Sequence, residues 1–128
     1  MRLLLDTHLL LSASERSSRL SRAARALLSD PANELLFSVA SIWEISIKHA
    51  KGLVTFQAKP GMVWEELLKH GYQELPVIGK HAIAAETLPR IHKDPFDRIL
   101  VAQATVEAMT LLTSDATVAR YPGPIRKV

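Results

Sequence analysis

The chain has 128 residues, 48% of them hydrophobic and 23% charged, and 16 Lys and Arg against 13 Asp and Glu leave a formal charge of +3. That balance describes one globular domain over residues 1–128 and excludes disorder, a collagen-like repeat or a coiled coil as a description of the whole. The absence of cysteine removes disulfides, thiolate zinc sites and cysteine nucleophiles, and it fits a reducing compartment.

Arg2 to Leu5 is a short apolar run ending at Asp6-Thr7, the length of a buried strand. Leu20, Ala23, Ala24, Leu27 and Leu28 recur at helical spacing and predict an amphipathic helix that Asp30-Pro31 ends. Leu35 to Val39 reads as a second strand. A helix is expected from about Ser41, stopping at Gly52 after Lys51. Another runs from Pro60 to His70, where Gly71 stops it. Tyr72 to Val77 is a third strand shortened by Pro76, and residues 80–88 are helical up to Pro89. Pro95 to Met109 is apolar nearly all round, which predicts a central buried helix. Leu111 to Thr113 is a strand ending at Ser114-Asp115. A short helix and a last strand, Ile125 to Val128, follow.

Short, continuously apolar strands alternating with helices indicate a parallel sheet covered on both faces, a three-layer α/β/α domain. Strand order is not legible. No apolar run approaches the ~18 residues of a membrane helix, and Asp6 interrupts the N-terminal run before a signal-peptide core forms. A cytoplasmic protein without a membrane partner is therefore expected.

The chain has five aspartates, and four of them, Asp6, Asp94, Asp97 and Asp115, fall at element junctions. Asp6 and Asp115 end strands, Asp97 lies in the first turn of the buried helix, and Glu44 lies in the first turn expected after the second strand. In a parallel sheet, strand C-termini and helix N-termini share the edge where ligands bind. Taken singly, these acids read first as caps. Ser41-Ile42-Trp43-Glu44 fits a capping box, Asp94-Pro95-Phe96-Asp97 fits N-cap, N1 proline and N3 acid, and Asp115 suits the start of the next helix. Asp6 resists that reading, because aspartate is depleted in strands. Taken together, the acids need a counter-charge. Two carboxylates ~4 Å apart repel by a few kcal/mol at an effective dielectric of 20. Oxygen ligands without sulfur point to Mg²⁺ or Mn²⁺, ions that activate water for attack at phosphorus.

Other chemistries find no support. The chain has no Gly-x-Ser-x-Gly elbow, no Walker A loop and no Gly-x-Gly-x-x-Gly turn. A phosphoacceptor receiver needs a mid-chain aspartate, and none lies between Asp30 and Asp94. His8 and His92 flank acids and read as supporting or packing groups ahead of metal ligands. His49 and His70 lie near helix C-termini. Arg16, Arg19, Arg22 and Arg25 recur every three residues, a solvated face by default. Lys48, Lys51, Lys93 and Arg98 share segments with Glu44 and Asp97, and Arg98 is placed to pair with a carboxylate.

Four segments carry a resemblance. They are Leu3-Leu4-Leu5-Asp6-Thr7-His8, Ser38-Val39-Ala40-Ser41-Ile42-Trp43-Glu44, His92 to Ala104 with its Asp94-Pro95-Phe96-Asp97-Arg98 core, and Leu111-Leu112-Thr113-Ser114-Asp115. In order and spacing the chain resembles PIN-domain ribonucleases, in particular VapC-type toxins of toxin–antitoxin pairs. The resemblance implies a catalytic and metal-binding set of Asp6, Glu44, Asp97 and Asp115 around Mg²⁺ or Mn²⁺. Thr7 and Thr113 would orient carboxylates, and Asp94 would be an N-cap or a supporting group. It further implies hydrolysis of RNA phosphodiesters by metal-bound water, a homodimer and a cognate antitoxin. Many relatives carry Trp after the first Leu run, where this chain has Leu11-Ser12, a difference in packing. The apolar face at residues 20–28 is a candidate dimer contact. Two other readings remain: a non-catalytic RNA-binding or regulatory module acting through its arginines, and a DNA-repair-type nuclease, which would usually be longer.

Overall fold

The computed structural model describes residues 1–15 and 18–128, so Arg16 lies outside the described residues. Strand β1, Arg2–Leu5, lies at the centre of a sheet in which every pairing is parallel. The order is β3-β2-β1-β4-β5, with β2 Glu34–Ser38, β3 Gln73–Leu75, β4 Thr110–Thr113 and β5 Ile125–Lys127. Helices are α1 Thr7–Ser14, α2 Arg22–Ser29, α3 Val39–Ala50, α4 Pro60–Lys69, α5 Gly79–Glu86 and α6 Pro95–Val106. Single 3-10 turns lie at Val54–Phe56 and Val118–Arg120.

Strand alternation divides the core into two layers. Leu3, Leu5, Phe37 and Leu112 point to one face, where they meet Leu9 to Leu11 of α1, Ala24 of α2, Ile45 of α3 and Val63 and Leu67 of α4. Leu4, Leu36, Leu75 and Leu111 point to the other, against Leu100, Val101 and Ala104 of α6. The sheet is covered on both sides, and the expected three-layer α/β/α fold holds. Chain direction changes side at β1, whose neighbours are β2 and β4. The C-terminal ends of β1 and β4 therefore flank the position where such sheets bind ligands.

Three local expectations are corrected. Helix α1 has no counterpart among the expected elements. Its Leu9-Leu10-Leu11 run is buried and carries no helical periodicity, and Asp6 starts it as N-cap by accepting from the Leu9 N–H at 2.9 Å. Helix α3 begins at Val39, not Ser41. Ser38 ends β2 and caps α3 at once, accepting from the Ala40 N–H. The Ser41–Glu44 capping box therefore does not form, and Glu44 sits in the second turn. Helix α6 stops at Val106. Ala108 adopts a left-handed φ of 53° and turns Met109 into the core. The face at residues 20–28 is not free, because Leu20, Leu27 and Leu28 pack onto the first core layer.

Candidate metal centre

The parallel register places Leu5 of β1 beside Leu112 of β4, so the residues that follow, Asp6 and Thr113, meet. The Thr113 hydroxyl, fully buried, donates to Asp6 Oδ2 at 2.5 Å and accepts from the Asp115 N–H at 3.0 Å. One hydroxyl thus fixes the first acid and the backbone of the last. Asp115 Oδ1 accepts from the Thr117 N–H at 2.7 Å, which leaves Oδ2 facing the crevice side of His92. The Thr7 hydroxyl behaves differently from Thr113. It donates to Ser41 Oγ at 3.0 Å, a buried tie between α1 and α3, and does not touch a carboxylate.

Helix α6 brings the next acids. Asp94 is its N-cap, accepting from the Phe96 N–H at 2.9 Å, with Pro95 at N1 and Asp97 in the first turn. Asp97 Oδ2 lies 3.5 Å from His92 Nε2, and Asp115 Oδ2 lies 4.0 Å from the same nitrogen. Ligand-capable atoms of His92, Asp97 and Asp115 fall within 4.8 Å of one another. Asp6 and Glu44 lie outside that trio but within electrostatic reach of Asp97.

Helix α3 supplies Glu44, which is 3% exposed. Its Oε2 accepts from Lys48 Nζ at 2.5 Å, and Lys48 also lies over the Phe56 ring, 4.9 Å from its centroid. Glu44 Oε1 is buried without a hydrogen-bond partner. A buried carboxylate oxygen in that state is costly unless something cationic or protic satisfies it.

The electrostatics follow from this crowding. Burial pushes the Asp6 carboxyl above its ordinary pKa, partly opposed by the Thr113 hydroxyl and the Leu9 N–H. Burial also raises Asp97, the Asp94 charge adds to it, and Glu44 and Asp6 add further; with His92 opposing, the pKa is pushed up to about 7. Acids held above their normal range by burial and by each other are short of positive charge. The orphaned Glu44 oxygen and the all-oxygen carboxylate set both suit a hard divalent cation of the Mg²⁺ or Mn²⁺ kind.

The basic residues sort out unevenly. Arg98 does not pair with a carboxylate. Its guanidinium donates to the carbonyls of Ala85, Leu88 and Pro89 and to the Tyr121 hydroxyl, closing the C-terminal end of α5. Lys51 is the C-cap of α3 and Lys93 is exposed. Arg22 and Arg25 are exposed on α2, and Arg25 donates to the Ser18 carbonyl. Tyr121, which no sequence pattern singles out, holds His92 from 29 residues away. Its hydroxyl accepts from the His92 N–H at 2.8 Å and donates to the His92 carbonyl at 3.1 Å.

Comparison with known proteins adds the family. The model described as PIN domain matches residues 3–124. No curated protein matches in sequence. Among solved structures, the chain is similar to a VapBC2 complex from Rickettsia felis bound to a DNA fragment from its promoter, with TM-score 0.72 and 16% identity over 99% of this chain and 98% of that one. It is similar to VapBC-1 from nontypeable Haemophilus influenzae, with TM-score 0.65 and 17% identity over 99% and 98%. It is also similar to a toxin–antitoxin complex from Klebsiella pneumoniae, with TM-score 0.63 and 17% identity over 98% and 99%. At these identities the likeness is one of fold.

Proposed function

The chain belongs to the PIN-domain family, and on that premise we propose that residues 1–128 form a single-domain, cytoplasmic, metal-dependent endoribonuclease, the toxin of a toxin–antitoxin pair. The observation that carries the reading is the convergence on Asp97 of acids from separate elements: Asp6 after β1, Glu44 from α3 and Asp115 after β4. Asp6, Glu44, Asp97 and Asp115 would hold Mg²⁺ or Mn²⁺, with Asp94 capping α6 beside them. The bound ion would polarise water for attack on phosphorus and offset charge on the phosphate.

The chain's own groups do the rest. Thr113 fixes the rotamer of Asp6 through Oδ2. Lys48 holds one oxygen of Glu44 and leaves the other for ligation. The cost of assembling these acids is met before substrate arrives, by a rigid sheet edge and two helix starts, so little reorganisation accompanies the reaction.

Cleavage of end-labelled RNA by antitoxin-free protein tests the reading. Discrete fragments in Mg²⁺ or Mn²⁺, and none in EDTA, are expected. The competing reading, an RNA-binding module acting through its arginines, predicts metal-independent binding that weakens steeply with salt, and no fragments.

Two partners belong to the same proposal. An antitoxin protein would cover the acidic crevice, as the Klebsiella pneumoniae complex named above pairs a toxin with an antitoxin. A second copy of the chain would make a homodimer. Exposed Trp43 stacks edge-on against Phe96 and, with Val39, Val77, Pro95 and Ile99, lines an apolar groove of about 480 Å³, surface that self-association would cover. Light scattering on the purified chain is expected to give twice the chain mass; a monomer at micromolar concentration would remove this part of the proposal. Among the described residues, no helix is long and apolar enough to cross a membrane.

A further inference from the structure

His92 is held more firmly than a packing residue requires. Its backbone N–H and carbonyl are both bonded to the buried Tyr121 hydroxyl. Its ring Nδ1 accepts from the Asp94 N–H at 3.1 Å. A ring nitrogen that accepts cannot carry the proton, so the neutral ring bears it on Nε2. That Nε2–H faces Asp97 Oδ2 at 3.5 Å and Asp115 Oδ2 at 4.0 Å. These separations are slightly longer than a formed hydrogen bond, and a small side-chain shift closes either one.

We infer that His92 is a positioning residue for the acidic centre, a ring N–H donor set between Asp97 of α6 and Asp115 after β4, and is not itself a metal ligand. The inference rests on the metal reading above. A metal-binding histidine offers a nitrogen lone pair to the ion and uses its other ring N–H to donate outward. Here the arrangement is reversed: the outward nitrogen accepts and the inward one carries hydrogen. The chemistry suits the task. Lysine or arginine at this place would bring a full positive charge and compete with the cation for the carboxylates. A single ring N–H can close on one of the two oxygens at a time and leaves the carboxylate charge for the ion. Lys48 shows the contrast, since it does bring a full charge to Glu44, but to one oxygen only.

The test is Mn²⁺ binding by metal-free protein, read by the electron paramagnetic resonance of free Mn²⁺, on wild type, His92→Gln, His92→Leu and Tyr121→Phe. Glutamine places an amide N–H near the position of Nε2, so His92→Gln is expected to bind within about threefold of wild type. His92→Leu is expected to lose about tenfold or more in affinity, the usual cost of removing a group that orients a ligand. Tyr121→Phe touches no acid and frees the His92 backbone, so it is expected to weaken Mn²⁺ in the same direction, and it carries the test if His92→Leu does not fold. Pulsed measurements on bound Mn²⁺ should show no imidazole nitrogen coupling that depends on His92. A coupling present in wild type and lost in His92→Gln would make His92 a ligand and overturn the inference. Wild-type affinity in both His92→Leu and Tyr121→Phe would also overturn it. If wild-type protein itself binds no Mn²⁺, the metal reading falls first and this role falls with it, a result distinct from altered binding in the variants alone.

Discussion

Asp97→Asn is expected to abolish RNA cleavage, by a factor of about a thousand or more, and at the same time to raise the thermal stability of the metal-free chain at pH 8. The two effects share one cause. Burial first, and then the charges of Asp94, Glu44 and Asp6, push the Asp97 carboxyl up to about 7. In the unfolded chain it titrates near the ordinary value of about 3.9. A carboxyl with a raised folded pKa favours the folded state only while it is protonated there. Its contribution is fully present below about pH 4 and is lost as pH rises through about 7. At pH 8 the ionised group works against folding by up to a few kcal/mol, on the order of 1.4 per pKa unit. Asparagine keeps the shape and removes the charge. The stability gain should therefore be largest above pH 7 and shrink as pH falls toward 4. Added Mn²⁺ should reverse the order, because it stabilises only the chain that retains the ligand. Melting curves at pH 5 and 8, with and without Mn²⁺, beside the cleavage assay, read all of this. A variant that cleaves at the wild-type rate would sink the nuclease assignment. A variant less stable than wild type at pH 8 would show that Asp97 is not strained by its neighbours.

The same electrostatics explain why the centre was legible in outline and not in detail. Asp6, Asp97 and Asp115 stand out because each follows an apolar strand or opens an apolar helix, and parallel topology brings such junctions to one edge. Glu44 was legible as a candidate, but its place in α3 was not. Ser38 closes β2 and caps α3 with no loop between them, so the Ser41–Glu44 spacing that matches a capping box lies one turn inside the helix. Helix α1 escaped notice because a three-leucine run carries no period, and because Asp6 is both cap and crevice residue. Arg98 turns to the carbonyls at the C-terminal end of α5 and not to a carboxylate, because sequence adjacency to Asp97 says nothing about direction; on a helix, neighbours diverge by about 100°. The placement of His92 depends on Tyr121, which holds its backbone, and on the turn at Asp94, which meets its ring, contacts that no local pattern encodes.

Asp6 poses a harder question than Asp97, because its side chain has a structural task as well. Oδ1 accepts from the Leu9 N–H and starts α1, and Oδ2 accepts from Thr113. Loss of activity in Asp6→Ala would therefore mix two effects: a missing carboxylate and a displaced α1, whose Thr7 hydroxyl also ties it to α3. Asparagine separates them. It caps helices about as well as aspartate, whereas alanine forfeits about 1 kcal/mol at such a position. Both variants are expected to lose cleavage to the same extent. Asp6→Asn should be the more stable of the two by about 1 kcal/mol, the value of the cap alone: its amide oxygen still accepts from the Leu9 N–H, whereas its NH2 group, like alanine, offers the buried Thr113 hydroxyl no acceptor. Equal melting temperatures would show that the cap contributes little to α1. Wild-type cleavage by Asp6→Asn would show that the charge is dispensable, and the acid at the end of β1 would then be a cap alone. Loss of cleavage in a stable Asp6→Asn protein leaves the charge itself as what the reaction needs from this residue.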